Sequence, residues 1–171
     1  MSDTNNGVAN GQAEPQAGAQ LNLQRIYIKN ASFEAPNAPQ VFQTQGQPAI
    51  ELNLGQRVTQ LGEGVFEVTI TATVTCKVED KTAYIAEVDQ AGIFGLNGFD
   101  ANAQEAVLAS YCPNVLFPYA RQMIAEMIQN GGFPPFLLQP INFESLYAEQ
   151  VRRRAEGTPD ASAADSTSLP N

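Results

Sequence analysis

Between Val65 and Val78 apolar and polar side chains alternate without a break. Phe66, Val68, Ile70, Ala72, Val74, Cys76 and Val78 share one parity; Glu67, Thr69, Thr71, Thr73, Thr75 and Lys77 share the other. Period two over such a length predicts a strand with one face buried. Glu79-Asp80-Lys81 predicts a turn, and Thr82–Gln90 the antiparallel return strand. On that return, Tyr84, Ala86 and Val88 share a face, and Ile85 and Glu87 share the other. Ile50, Leu52 and Leu54 alternate with Glu51 and Asn53, which predicts another half-buried strand. Leu21–Lys29 is strand-like, but its apolar parity shifts near Arg25. A bulge, or burial on both faces, would produce that shift. The stretch Ala31–Pro48 holds Pro36, Pro39, Gly46 and Pro48 and reads as a long extended connection, with Phe33, Val41 and Phe42 in it.

After residue 100 the period changes. Leu108, Tyr111, Cys112, Val115, Leu116, Tyr119, Met123, Ile124, Met127 and Ile128 recur near every 3.6 residues. The phase runs through Pro113 and Pro118, so one long helix, kinked or broken near those prolines, is expected. Asn102 with Glu105 suggests its N-cap, and Gly131-Gly132 its stop. A last helix is expected from near Asn142 to before Gly157, with Arg152, Arg153 and Arg154 suited to its C-terminal dipole. Strands first and helices after give an α+β domain. Val107, Phe117 and Ala120 widen the apolar stripe beyond what one sheet covers. That surplus points to a second layer from another subunit.

Composition then narrows the chemistry. The chain has 171 residues, no His, no Trp, and Cys only at 76 and 112. Without His, the usual base for a nucleophilic thiol is missing. Two thiols far apart suggest neither a zinc site nor a disulfide framework. Both fall on apolar faces, so both read as packing residues. Gly92, Gly95 and Gly98 are spaced GxxGxxG, which is not the dinucleotide fingerprint, and read as a loop. Carboxylate pairs such as Glu63 and Glu67, or Glu79 and Asp80, lack a visible orienting partner for acid–base catalysis. No enzyme activity, cofactor or metal is expected.

Residues 1–20 and 156–171 carry almost no large apolar side chains and read as disordered tails around one domain, 21–155. No N-terminal apolar run suggests a signal peptide or membrane span, so a soluble cytoplasmic protein is expected. The net charge of −9 disfavours nucleic acid; it allows a basic partner, or simply good solubility through a solvated acidic face. Ten acids lie between Glu34 and Glu105, against Arg57, Lys77 and Lys81 as the only bases.

Four segments together resemble the SecB family of protein-export chaperones. They are Tyr111–Arg121 (YCPNVLFPYAR), Ser32–Pro39 followed by Val41-Phe42-Gln43, Glu87–Phe94, and Phe133–Pro140 with Asn142-Phe143. Their order and spacing fit the family from about Leu21 to Arg153. The resemblance implies a four-stranded antiparallel sheet with helices packed on one face. It implies a homotetramer assembled as a dimer of dimers, with Ala86, Val88, Gln90, Tyr111 and Cys112 at or beside the interface. It also implies an ATP-independent holdase that binds unfolded secretory preproteins and delivers them to SecA.

By the same resemblance the preprotein groove draws on Tyr27, Val41, Phe42, Leu52, Leu54 and Tyr84. Flat apolar faces of this kind accept many sequences. SecA docking is implied at Glu34, Ile85 and Glu87, which would receive the basic, zinc-containing C-terminal tail of SecA. Zinc there belongs to the partner. The chain departs from the family in two places. Asn30 stands where an acid is common, and no Trp occurs near Gly46 in the crossover. The alternative from another class is a SecB-like module dedicated to one partner protein.

Overall fold

The alternating run is a strand over its whole expected length. In the computed structural model, which describes residues 18–157, β3 spans Val65–Val78. Most of the two expected tails (residues 1–17 and 158–171) lies outside the described residues. Glu79 and Asp80 take φ of 50° and 62°, the mirror-image turn that suits a two-residue hairpin. The chain returns as β4, Lys81–Asn97, antiparallel to β3. On the other side β3 pairs with β2, Ala49–Gly62, and β1, Gln20–Glu34, lies against β4. The sheet order is therefore β1-β4-β3-β2, a meander with the first strand brought to its far edge by the 35–48 crossover.

Three strands run further than the pattern suggests, each for a local reason. β1 continues through Ala31–Glu34, where Phe33 faces the core opposite Ala86. In β2 the core-side parity holds Gln56 and Gln60, which hides the alternation beyond Leu54. Gly92 and Gly95, read from sequence as a loop, lie inside β4. Gly92 is needed for close packing: a Cβ there would stand 2.8 Å from Phe94 Cε2 and 2.9 Å from Leu116 Cδ2. The parity shift in β1 is a bulge between Leu23 and Arg25, and a second one lies between Ile28 and Asn30.

The sheet has one covered face and one open face. Val68, Ile70, Ala72, Val74, Ala86, Val88 and Phe94 are fully buried on the covered side. Over them lies a continuous helical stretch: α1, Ala101–Ala106, a π-helical turn at Val107–Tyr111, and α2, Cys112–Asn130. Leu116, Ala120, Ile124 and Ile128 are its fully buried stripe. Its N-cap is Asp100, not Asn102: Asp100 Oδ1 accepts from Ala103 N at 2.9 Å, while Asn102 sits exposed in the first turn. Aspartate caps as well as asparagine, and the earlier position won.

The helix answers Pro113 by widening rather than breaking. Cys112 N–H donates five residues back to Val107 O. In that register Pro113 would owe a hydrogen bond to Leu108 O, and it has no N–H. Gln56 Nε2 of β2 supplies it at 2.9 Å, which explains a polar residue at a core-side position. Pro118 lies inside α2. At the far end Gly132, at φ 85°, and Phe133 donate to Gln129 O and Ile128 O, closing the helix in a Schellman motif. The last helix, α3, spans Phe143–Ala155 with Asn142 as its cap, accepting from Ser145 N at 2.9 Å. Phe143 packs edge-on against Phe117 at 5.7 Å. Part of the apolar surplus on α2 is thus covered within the chain, while Tyr111 and Tyr119 stay about half exposed. No helix among the described residues is long and apolar enough to cross a membrane.

Candidate functional site on two faces of one sheet

The expected residues divide between the two faces. On the covered side, beyond the end of α2, Tyr84, Cys76 and Ile50 form one cross-strand row, and Phe33, Ala86, Val74 and Leu52 form the next. Phe133 lies among the aromatics there, with ring centroids 4.8 Å from Tyr84, 5.0 Å from Phe42 and 6.3 Å from Phe33. Val41, held by the short helical turn Gln40–Gln43, is buried beneath. Phe42 is 53% exposed, Leu52 40% and Ile50 39%. Together they make an apolar ledge on the covered side: Val41 and Tyr84 are its buried members, Phe42 its exposed member in the aromatic cluster, and Ile50 and Leu52 its exposed members on the edge strand β2. Leu54 extends it toward a cavity of about 520 Å³ between β2 and α3, lined also by Gln56, Leu146 and Tyr147.

Sequence reasoning missed Ile50, Phe33 and Phe133 as ledge residues. The pairing of β2 with β3, and the helix stop that swings Phe133 over Tyr84, brought them in. Gly46 lies behind the ledge with its backbone against the hairpin; a Cβ would be 2.9 Å from Val78 Cγ1.

Tyr27 does not join this group. The first β1 bulge turns it onto the open face, where its hydroxyl donates to Glu67. Lys29 Nζ reaches the same carboxylate at 2.7 Å. Both side chains reach across β4, which lies between β1 and β3, so β1 is strapped to β3. The Lys29 ammonium first, and the Tyr27 hydroxyl second, hold Glu67 below the usual carboxylate range against the opposing effect of burial. The Tyr27 hydroxyl is pushed up to about 12, chiefly by that bond to Glu67.

Because the Glu67 value is lowered in the folded state, its stabilisation is present above the unfolded value of about 4.3 and disappears as pH falls through the folded one. The Tyr27 value is raised, so its share is full below about 10 and disappears as pH rises toward 12. Thermal melts should therefore show Glu67→Gln less stable than the parent by about 1–3 kcal/mol at neutral pH. The gap should close on acidification below pH ~4. A gap independent of pH would mean that the strap does not depend on the Glu67 charge.

The residues expected for SecA docking come together on the open face. Glu34 lies directly across from Ile85, and Glu87 follows two positions along β4. Thr73 Oγ1 donates to Glu87 Oε2 at 2.8 Å, and Thr71 Oγ1 to Asp89 Oδ1 at 2.5 Å. The polar half of the β3 alternation is thus a row of hydroxyls that holds β4 carboxylates in place. Glu34 is exposed; Ile85 and Glu87 are half-buried.

Neither cysteine is placed for chemistry. Burial pushes the Cys112 thiol up to about 12 and the Cys76 thiol above its ordinary value. Ala86, Val88 and Gln90 are buried on the covered face within this chain, and Gln90 Nε2 donates to Tyr27 O at 2.9 Å beside the second bulge. Among the described residues no group of three or more Cys, Asp or Glu is gathered to hold a metal ion.

Residues 13–154 match the profile of the family described as "Preprotein translocase subunit SecB". The chain belongs to the SecB family. Similar SecB relatives are named protein-export proteins. One from Stenotrophomonas maltophilia is 52% identical, with 93% of this chain and 94% of the relative covered. One from Xylella fastidiosa is 51% identical over 91% and 92%. Among solved structures, a SecB-like chaperone of Mycobacterium tuberculosis, in complex with a peptide from an antitoxin, superposes with a TM-score of 0.58. It shares 16% identity over 71% of this chain and 90% of that one, so it shows the fold. Family membership makes this chain a SecB chaperone of the Sec export pathway, a family of chaperones and not of enzymes.

Proposed function

We propose that this SecB acts in the cytoplasm as a homotetramer, a dimer of dimers of the domain 21–155. It holds unfolded secretory preproteins without ATP and passes them to SecA. The observation that carries this reading is the opposition of the two surfaces. The apolar ledge of Phe42, Ile50 and Leu52 and the acidic row of Glu34, Ile85 and Glu87 lie on opposite faces of one sheet. Preprotein and motor then need not compete for the same side chains, and both bind during transfer.

On the ledge, Val41, Leu54 and Tyr84 support the contact from behind. On the open face, complementary charge speeds docking of the basic, zinc-containing SecA tail and makes it salt-sensitive. Exposed Tyr111, at the end of the π-helical turn before α2, meets a neighbouring subunit. Buried Cys112, Ala86, Val88 and Gln90 act from beneath, by fixing the position of that helix over the sheet.

Diluting a denatured secretory precursor into buffer with the full chain tests the holding activity. Light scattering should be suppressed without ATP, and the folded precursor should not bind. Undiminished scattering, or capture of one folded partner only, would replace the general holdase with a module dedicated to that partner.

A further inference from the structure

The charge on the open face is sorted by row. The row Glu34–Ile85–Thr75–Glu51 is acidic, and the next two carry Glu87 and Asp89. One step further, the row Tyr27–Ala91–Thr69–Arg57 carries Arg57, Lys29 of the adjacent bulge pairs with Glu67, and Arg25 shares the next row with Glu67, so three bases there face one carboxylate. The acidic strip therefore ends at Asp89, against a basic border.

We propose that Asp89 is a docking residue, the last carboxylate of a strip that receives a cationic tail, and that the basic row beyond it sets where the tail stops. The inference rests on the reading of this face as the SecA-docking surface. Asp89 has no evident reason within the chain. Aspartate is disfavoured inside strands, and this one sits mid-strand in β4 between two neighbours. It lies two positions from Glu87 on the same face, roughly 7 Å away, so the like charges repel. Among the described residues no base pairs with it; its bond is the neutral one from Thr71. Across the pair stands Asn30, which carries no charge. A bound cation removes the repulsion, while the bases around Glu67 repel any longer cationic segment.

The test is calorimetric titration of the full chain with purified SecA at two salt concentrations. Asp89→Asn should bind about 5–10-fold more weakly, with a shallower salt dependence. Adding Asn30→Asp should recover most of the loss, because it returns a carboxylate about 5 Å away across the strand pair. Arg57→Glu should lengthen the strip and tighten binding. Melting curves check that each variant folds. If Glu87→Gln weakens binding and Asp89→Asn does not, Asp89 is no docking residue and the face keeps its role. If neither does, the docking face itself is misassigned. Unchanged binding by Arg57→Glu would remove the border.

Discussion

Glu87→Lys should lower SecA affinity by roughly 30–100-fold at low ionic strength and leave preprotein binding within about twofold, since like-charge juxtaposition across a docking face costs several kcal/mol. The effect exceeds loss of one carboxylate for two reasons. A lysine on the open face repels the cationic tail that Glu87 attracts. It also lies two positions from Asp89 on the same face and pairs with it, which withdraws a second acid from the strip. Raising the salt concentration should shrink the difference, because half-exposed charges are screened over about 8 Å at physiological ionic strength.

The fold should tolerate the change. Glu87 is half-buried, its partner is the Thr73 hydroxyl, and a hydroxyl at a wet surface finds water instead. The preprotein side is insulated by the sheet. Ala86 and Val88, the neighbours of Glu87 in sequence, are fully buried and point the other way. Titration of the variant with SecA and, separately, with an unfolded precursor measures both effects. Equal loss of the two affinities would mean that the faces are not separate sites.

Some of this arrangement is legible in the amino-acid order and some is not. Strand β3 could be read to the residue because its core face is wholly apolar and its open face, from Glu67 on, wholly polar. β2 could not, because Gln56 answers a carbonyl 52 residues away, Leu108 O, left open by a proline in the helix. No local pattern encodes that demand. The glycines of β4 look like loop formers until α2 is laid over them; their small size serves the helix. The shared face of Ile85 and Glu87 was readable because alternate strand positions share a face, so the two had to stand together. Tyr27 was misplaced because a bulge resets parity. The shift near Arg25 is visible in the sequence, but which face each later residue takes depends on register with β4. The aromatic ledge was half readable. Phe42 and Leu52 come from segments far apart in sequence, and Phe133 is delivered to them by the turn at the end of α2.

The second large effect concerns that ledge. Phe42→Ser combined with Leu52→Ser should weaken capture of an unfolded precursor by roughly 10–150-fold and leave SecA affinity unchanged. Each side chain presents close to half of its surface to solvent. Covering that surface with a bound chain is worth about 0.7–1.5 kcal/mol apiece, given roughly 1.5–3 kcal/mol for full burial. Two such losses add when the residues stand on different elements and share no partner. The domain itself loses little, because what the substitutions remove is mostly already exposed. The exception is the Phe42–Phe133 ring contact at 5.0 Å, worth about 0.5–1.5 kcal/mol.

Tyr84→Ala separates the ledge from its floor. Tyr84 is buried, and burial first among the causes pushes its hydroxyl up to about 12, so it belongs to the core. Removing it should cost roughly 3–5 kcal/mol of stability in urea melts. Loss of precursor binding by that variant would then follow unfolding. Loss by the double serine variant, with its melting curve intact, would follow the ledge. A double serine variant that folds and still suppresses aggregation at parental concentrations would move the preprotein site away from β2, toward the cavity under α3.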